Sequence, residues 1–217
     1  VQDLRVAHTG TLRAEFGVVI ERTQRELQGV ACVDLEDVPP AKQQIISSRS
    51  FGHVVNDVAV LRDAMSTFVA NACVKLRAQG SHAALIQVFL KTNRFRPDQP
   101  QYSPSLSMPL PQPTNDSLVV NRWADHLVGR LFKPGYGYKK AGVILSDITP
   151  VGQYQTDWLE PPQATNTQLM AAVDALNQRF GRGTVKVSTQ GAYREWQMKQ
   201  ERKSPNYTTC WDEVPVA

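Results

Sequence analysis

The chain has 217 residues, 41% hydrophobic, with 24 Lys and Arg against 20 Asp and Glu, for a formal charge of +4. That is one domain of ordinary size, or two small ones, with apolar content enough for a core and a mild leaning toward a polyanionic partner. Its three cysteines stand far apart without a CxxC pair, and no apolar run reaches about 18 residues, which argues against a zinc site, a disulfide framework and a membrane span.

The chain opens without Met, at Val1, inside what reads as a helix, so it is expected to be a fragment of something longer; no signal peptide is evident. Leu12, Phe16, Val19, Ile20, Thr23 and Leu27 form a helical stripe over residues 10 to 28, with Gly29 as the stop. Val30 to Val38 alternates loosely, and Pro39-Pro40 then breaks the chain, marking a linker.

Lys42 to Val55 reads as a strand whose second half is polar and cationic. Val58, Leu61, Met65, Phe68, Ala72 and Leu76 give an amphipathic helix over 57–79, ended by Gly80. Ala83 to Leu90 reads as a strand with Phe89 in the core, and Pro97 to Gln101 as a turn. Ser105 to Leu110 reads as a short edge strand, since Pro104, Pro109 and Pro111 keep it off the sheet centre. Asn115 or Asp116 caps a second helix carrying Val120, Trp123, Leu127 and Leu131. Lys139-Lys140 then precede a last strand, Ala141 to Leu145, with Asp147 in the turn beyond it.

The order is β-α-β-β-α-β. The expected fold is α+β: a four-stranded antiparallel sheet in a ferredoxin-like arrangement, with two helices on one face and the other face open. Past it, Gln153 to Leu159 reads as an extended strap ahead of Pro161-Pro162. It offers one amide, Gln155, and an apolar pair, Trp158-Leu159. Such a strap either docks in a pocket on another protein or folds back on its own domain. A helix with Leu169, Val173, Leu176 and Phe180 follows, then a strand over Thr184 to Ser188, and a tail holding Trp196, Met198, Tyr207 and Trp211.

Catalytic chemistry finds little support. Asp34, Glu36 and Asp37 are the one tight acidic group, and they sit in the linker. His8, His53, His82 and His126 show no metal spacing, and no GxSxG, P-loop or GxGxxG occurs. Three cationic-polar runs remain: Ser48-Arg49-Ser50, Lys91-Thr92-Asn93-Arg94 and Lys139-Lys140, each at the end of an expected strand. Small hydroxyls and amides let a phosphate chain approach, while Arg and Lys displace its counterions.

Ile45 to Gly52, Phe89 to Asn93 and Tyr138 to Val143 resemble the little-finger domain of UmuC-type Y-family DNA polymerases. Val19 to Gly29 resembles the last thumb helix of that family, and Gly181 to Thr184, Trp196 to Met198 and Ser204 to Thr209 resemble the C-terminal extension of its UmuC branch. The resemblance implies a thumb remnant over 1–29, a linker over 30–41, a little finger over 42–150, a strap over 151–164 and the extension over 165–217. It implies the C-terminal half of a DNA polymerase V-like translesion enzyme of SOS repair, acting at the nucleoid of the bacterial cytoplasm. The palm and fingers, with the carboxylates that bind magnesium in the parent, are absent, so this chain alone is expected to hold no cofactor and no activity.

The role implied is gripping primer–template DNA, with Ser48, Arg49, Ser50, Lys91, Thr92, Asn93, Arg94, Lys139 and Lys140 at the interface. Gln155, Trp158 and Leu159 match the family's sliding-clamp peptide, with Trp158 in place of the more usual Leu. A UmuD′ dimer and the RecA filament are the partners implied for residues after 165. The rival reading is a protein-interaction module without DNA contact. A single-stranded RNA binder ranks last, because it needs an aromatic exposed at mid-strand.

Overall fold

The structure is a computed structural model, and it describes residues 1–34, 40–153, 166–191, 195–198 and 203–214. The chain divides into two compact units, Val1–Ala41 and Lys42–Ala217.

Among its described residues, the first unit holds three helices, α1 (Gln2–Val6), α2 (Thr9–Phe16) and α3 (Val18–Leu27). The single helix expected over residues 10 to 28 is therefore two. Gly17 breaks it at φ 82°, a left-handed value open to glycine. The apolar stripe also fails to close a core: Leu12 is buried, but Phe16 and Val19 are 62% and 69% exposed. Polar side chains do the closing. Glu21 is buried and paired with Arg13 at 3.2 Å and Arg25 at 2.6 Å. Gln24, also buried, donates its amide to the carbonyl of Ala7, and Gln28 donates to that of Arg5 at 2.7 Å.

In the second unit the order is β1 (Ile45–Val55), α4 (Val58–Ala78), β2 (Ser81–Thr92), β3 (Ser105–Thr114), α5 (Ser117–Leu131) and β4 (Tyr138–Pro150). This is the α+β order expected. The strands lie β1-β4-β2-β3, with every neighbouring pair antiparallel. Each β-α-β unit is split by a strand of the other: β4 lies between β1 and β2, and β2 between β3 and β4. Both helices start at an aspartate cap. Asp57 accepts the Ala59 N–H at 2.9 Å, and Asp116 that of Leu118 at 2.8 Å.

Several strand boundaries differ from expectation: β1 begins at Ile45 rather than Lys42, and β2 runs from Ser81 to Thr92 so that it takes in Lys91 and Thr92. β3 continues through Pro109, Pro111 and Pro113 to Thr114, which an edge strand tolerates because no partner needs those absent donors. β4 begins at Tyr138, so Lys139 and Lys140 lie inside it rather than ahead of it. It also continues through Asp147, which holds φ 52° within the strand instead of sitting in a turn. Aspartate tolerates that left-handed value better than most side chains.

Alternation along the strands divides the sheet's faces. Ile86, Val88 and Leu90 of β2 and Ala141, Val143 and Leu145 of β4 are buried against Leu61, Phe68 and Leu76 of α4 and Val120 and Leu127 of α5. The helices thus cover one face, as expected.

The C-terminal segment packs on the same unit. α6 (Thr167–Phe180) buries Met170 and offers Asp174 to Arg77 of α4. That ion pair is bidentate, at 2.6 and 2.8 Å, and Arg77 also donates to the Asn115 carbonyl at 2.7 Å. A 3-10 turn, Ser188–Gln190, follows; its Thr189 hydroxyl lies 2.7 Å from that of Ser66 and accepts from the Asn121 amide at 3.1 Å. Trp196 is 4% exposed, within the core of the sheet domain. The strand expected over Thr184 to Ser188 does not form. Asn177 takes both backbone groups of Val185, accepting its N–H at 2.9 Å and donating to its carbonyl at 3.0 Å, so neither is free for a ladder.

Cys73 is fully buried in α4, and burial pushes its thiol up to about 12. Only the thiolate reacts, so near pH 8 the buried thiol is almost wholly in its unreactive protonated form. A thiol reagent added to the folded protein should therefore label the half-exposed Cys32 and Cys210 and leave Cys73 until denaturant is added. Labelling of all three cysteines under native conditions would contradict this packing.

Candidate nucleic-acid interface

The face that the helices leave open is built by the other set of alternating residues. Residues directly opposite each other in antiparallel strands share a face. Gln87, Phe89 and Lys91 of β2 stand opposite Ile144, Gly142 and Lys140 of β4. Ile46, Ser48 and Ser50 of β1 flank that row on one side, and Ser105 and Ser107 of β3 on the other. The surface is thus small hydroxyls, one amide, one glycine and two lysines around a few apolar side chains.

A bulge sets its cationic end. Lys91 pairs with Lys140 and Thr92 with Tyr138, so Lys139 is the extra residue of β4. The inserted residue lets Tyr138 point into the core, fully buried, while Lys140 turns to the open face beside Lys91. Like charges directly opposite on one face are destabilising. The fold therefore sets two lysines opposite each other on one face, where an anion bound between them would relieve the repulsion.

The nine expected interface residues separate into three groups. Ser48, Ser50, Lys91 and Lys140 lie on the open face. Arg49 stands opposite Ala141 and so belongs to the helix side of the edge strand, exposed at its rim. Lys139, in the bulge, donates to the Gly52 carbonyl at 3.2 Å. Thr92 is buried and its hydroxyl bonds to Gln101 at 2.9 Å. Asn93 and Arg94 sit in the turn after β2, where Asn93 accepts the Phe95 N–H at 3.1 Å and the Arg94 guanidinium lies 4.9 Å from the Phe95 ring. Gln155, Trp158 and Leu159 lie outside the described residues, as do Glu36 and Asp37.

Phe89 corrects the sequence reading. It is half-buried on the open face and is not part of the core, which takes Val88 and Leu90. Its ring leans across β4. A Cβ on Gly142 would lie 2.6 Å from the Phe89 ring tip and 2.4 Å from the Ser48 Cβ, so only glycine fits there. The Lys91 ammonium stands 5.3 Å from the ring centroid. The signal was present in the strand: Phe89 has the parity of the polar Gln87 and Lys91, while Ile86, Val88 and Leu90 have the other.

Among the described residues no three His, Cys, Asp or Glu side chains gather where a metal could sit. No helix of the described residues is long and apolar enough to cross a membrane.

Residues 42–158 match the impB/mucB/samB family C-terminal domain, and residues 167–217 match a domain of unknown function, DUF4113. Protein ImpB of Salmonella typhimurium is 39% identical over 216 residues, 99% of this chain and 51% of that protein. Protein UmuC of Salmonella typhimurium is 38% identical over 214 residues, covering 98% and 51%. Protein MucB of Escherichia coli is 38% identical over 219 residues, covering 100% and 51%. The chain spans about half the length of the curated relatives it matches. Among solved structures, the insertion ternary complex of Dbh DNA polymerase covers 69% of this chain and 41% of its own at 15% identity, with a TM-score of 0.40, a likeness too loose to add to the fold described above.

Proposed function

Because the chain belongs to the impB/mucB/samB family, as the C-terminal half of its UmuC-like members, we propose that it is the DNA-gripping and clamp-docking part of an error-prone translesion polymerase. Catalysis in that reading belongs to the other half of the parent enzyme. The supporting observation is the Lys91–Lys140 pair, two lysines opposite each other on a surface of serines, one amide and a glycine around a few apolar side chains. Such a surface admits a phosphate chain closely and holds it without reading its sequence. Arg94 and Arg49, at the rim, extend the positive edge.

Titration of fluorescent primer–template duplex over a range of salt tests the grip. Affinity should fall steeply as salt rises and be indifferent to base sequence. Absence of duplex binding at roughly 0.1 M salt, with retained binding to a protein partner, favours a pure protein-interaction module instead.

The clamp reading rests on Gln155, Trp158 and Leu159, a polar anchor and two apolar ones in the segment after β4. Aromatic anchors of this kind are worth about 2 kcal/mol or more, so replacing all three by alanine should weaken capture on a bacterial sliding clamp at least 30-fold. Equal capture of parent and variant gives the strap another job. A UmuD′ dimer and the RecA filament are the proposed partners of residues beyond 165. There the outward stripe of α6, with Leu169, Leu176 and Phe180, and the exposed Trp211 offer apolar surface to a protein.

A further inference from the structure

We propose that Phe89 is a stacking platform for an unpaired DNA base adjoining the gripped duplex. The inference rests on the duplex reading of the same face and adds a single-stranded ligand to it. Phe89 stands at mid-strand on the open face, half-buried, with Ser105 opposite it on β3 and Gly142 on β4. Neither neighbour is tall enough to cover the ring, and the group standing over it is the Lys91 ammonium, carried on a flexible stem. Packing alone would place an aromatic of this size with Val88 and Leu90 in the core, one residue away in either direction.

The glycine gives the ring room. Any side chain at 142 would strike the ring and Ser48, so β4 leaves a gap that lets Phe89 lean across the sheet. Charge fixes the class of ligand. Lys91 holds its ammonium 5.3 Å from the ring centroid and stands opposite Lys140, so the apolar surface and the anion site are contiguous. A nucleotide offers both parts, a π-face for the ring and a phosphate for the lysines. Bases within a duplex already stack on each other and present only edges. The base that gains from Phe89 is therefore unpaired, as in the single-stranded stretch beyond a primer terminus.

The test compares a blunt duplex with the same duplex carrying an unpaired thymine tail, by fluorescence anisotropy. The parent chain should bind the tailed DNA about 10-fold more tightly, the scale of one stacked base. Phe89→Leu keeps most of the apolar volume and should abolish that preference while binding blunt duplex as the parent does. Phe89→Trp should retain or increase it. A readout needing no variant is 2-aminopurine placed in the tail, whose fluorescence should be quenched on binding the parent chain. Equal affinity of the parent for the two DNAs, an unquenched tail, or a preference that survives Phe89→Leu overturns the platform and leaves the duplex grip standing. No binding of either DNA overturns both.

Discussion

Trp196→Ala should destabilise the unit 42–217 by about 3–5 kcal/mol, read as a lower urea midpoint with little change in slope. The side chain is buried at 4% exposure between β1 and α4, edge-on to Phe51 at 6.2 Å and Phe68 at 5.3 Å. Its indole N–H donates to the Asp63 carboxylate at 3.3 Å, and its carbonyl accepts the Gly52 N–H of β1 at 3.0 Å. Alanine keeps that last bond and loses the rest, leaving a cavity the size of an indole. Trp196→Phe refills part of it and should recover part of the loss. A change below about 1 kcal/mol would mean that the C-terminal segment merely rests on the domain. The expected loss has a wider meaning, because Trp196 lies in the stretch that matches a domain of unknown function. That stretch completes the core of the preceding domain: Trp196, Thr189 and Asp174 all anchor on α4. Truncation after residue 165 should accordingly cost more stability than the single substitution.

The second large effect concerns DNA. Each phosphate neutralised contributes about 0.9 to the salt slope, which near 0.1 M amounts to roughly 8-fold in affinity relative to 1 M salt. Lys91→Ala with Lys140→Ala should therefore weaken duplex binding roughly 60-fold near 0.1 M salt and make the slope shallower by about 1.8. Arg49 lies on the other side of the edge strand, so Arg49→Ala should cost less than either lysine. Thr92 is committed to Gln101 within the fold, and Thr92→Val should leave affinity near the parent's. Unchanged affinity in the double lysine variant would remove the open face from the DNA interface.

Much of this architecture could be read from residue patterns. α4 and α5 carry long stripes at helical spacing, each behind an aspartate cap, and the proline-rich β3 fell at the sheet's edge as its missing donors require. The lysine runs also read, from the sequence alone, as a surface for an anionic ligand. What escaped were features set by neighbours rather than by local pattern. The bulge at Lys139 moves the next residue to the other face, and no periodicity announces it. Phe89 looked like core because it is large and apolar, although its parity placed it with Gln87 and Lys91. Gly17 divides a helix whose apolar spacing runs straight through it. The burial of Trp196 depends on contacts with Phe51, Phe68 and Asp63, more than a hundred residues earlier in the chain.

On the proposed reading, Lys91 and Lys140 stand opposite each other to take an anion, at a cost in stability. Urea unfolding of Lys140→Ala at low salt, with duplex affinity measured on the same sample, tests it most directly. Relief of the cross-strand repulsion predicts a variant more stable by about 0.2–1 kcal/mol and weaker for DNA. A variant less stable than the parent, with DNA binding intact, would contradict it.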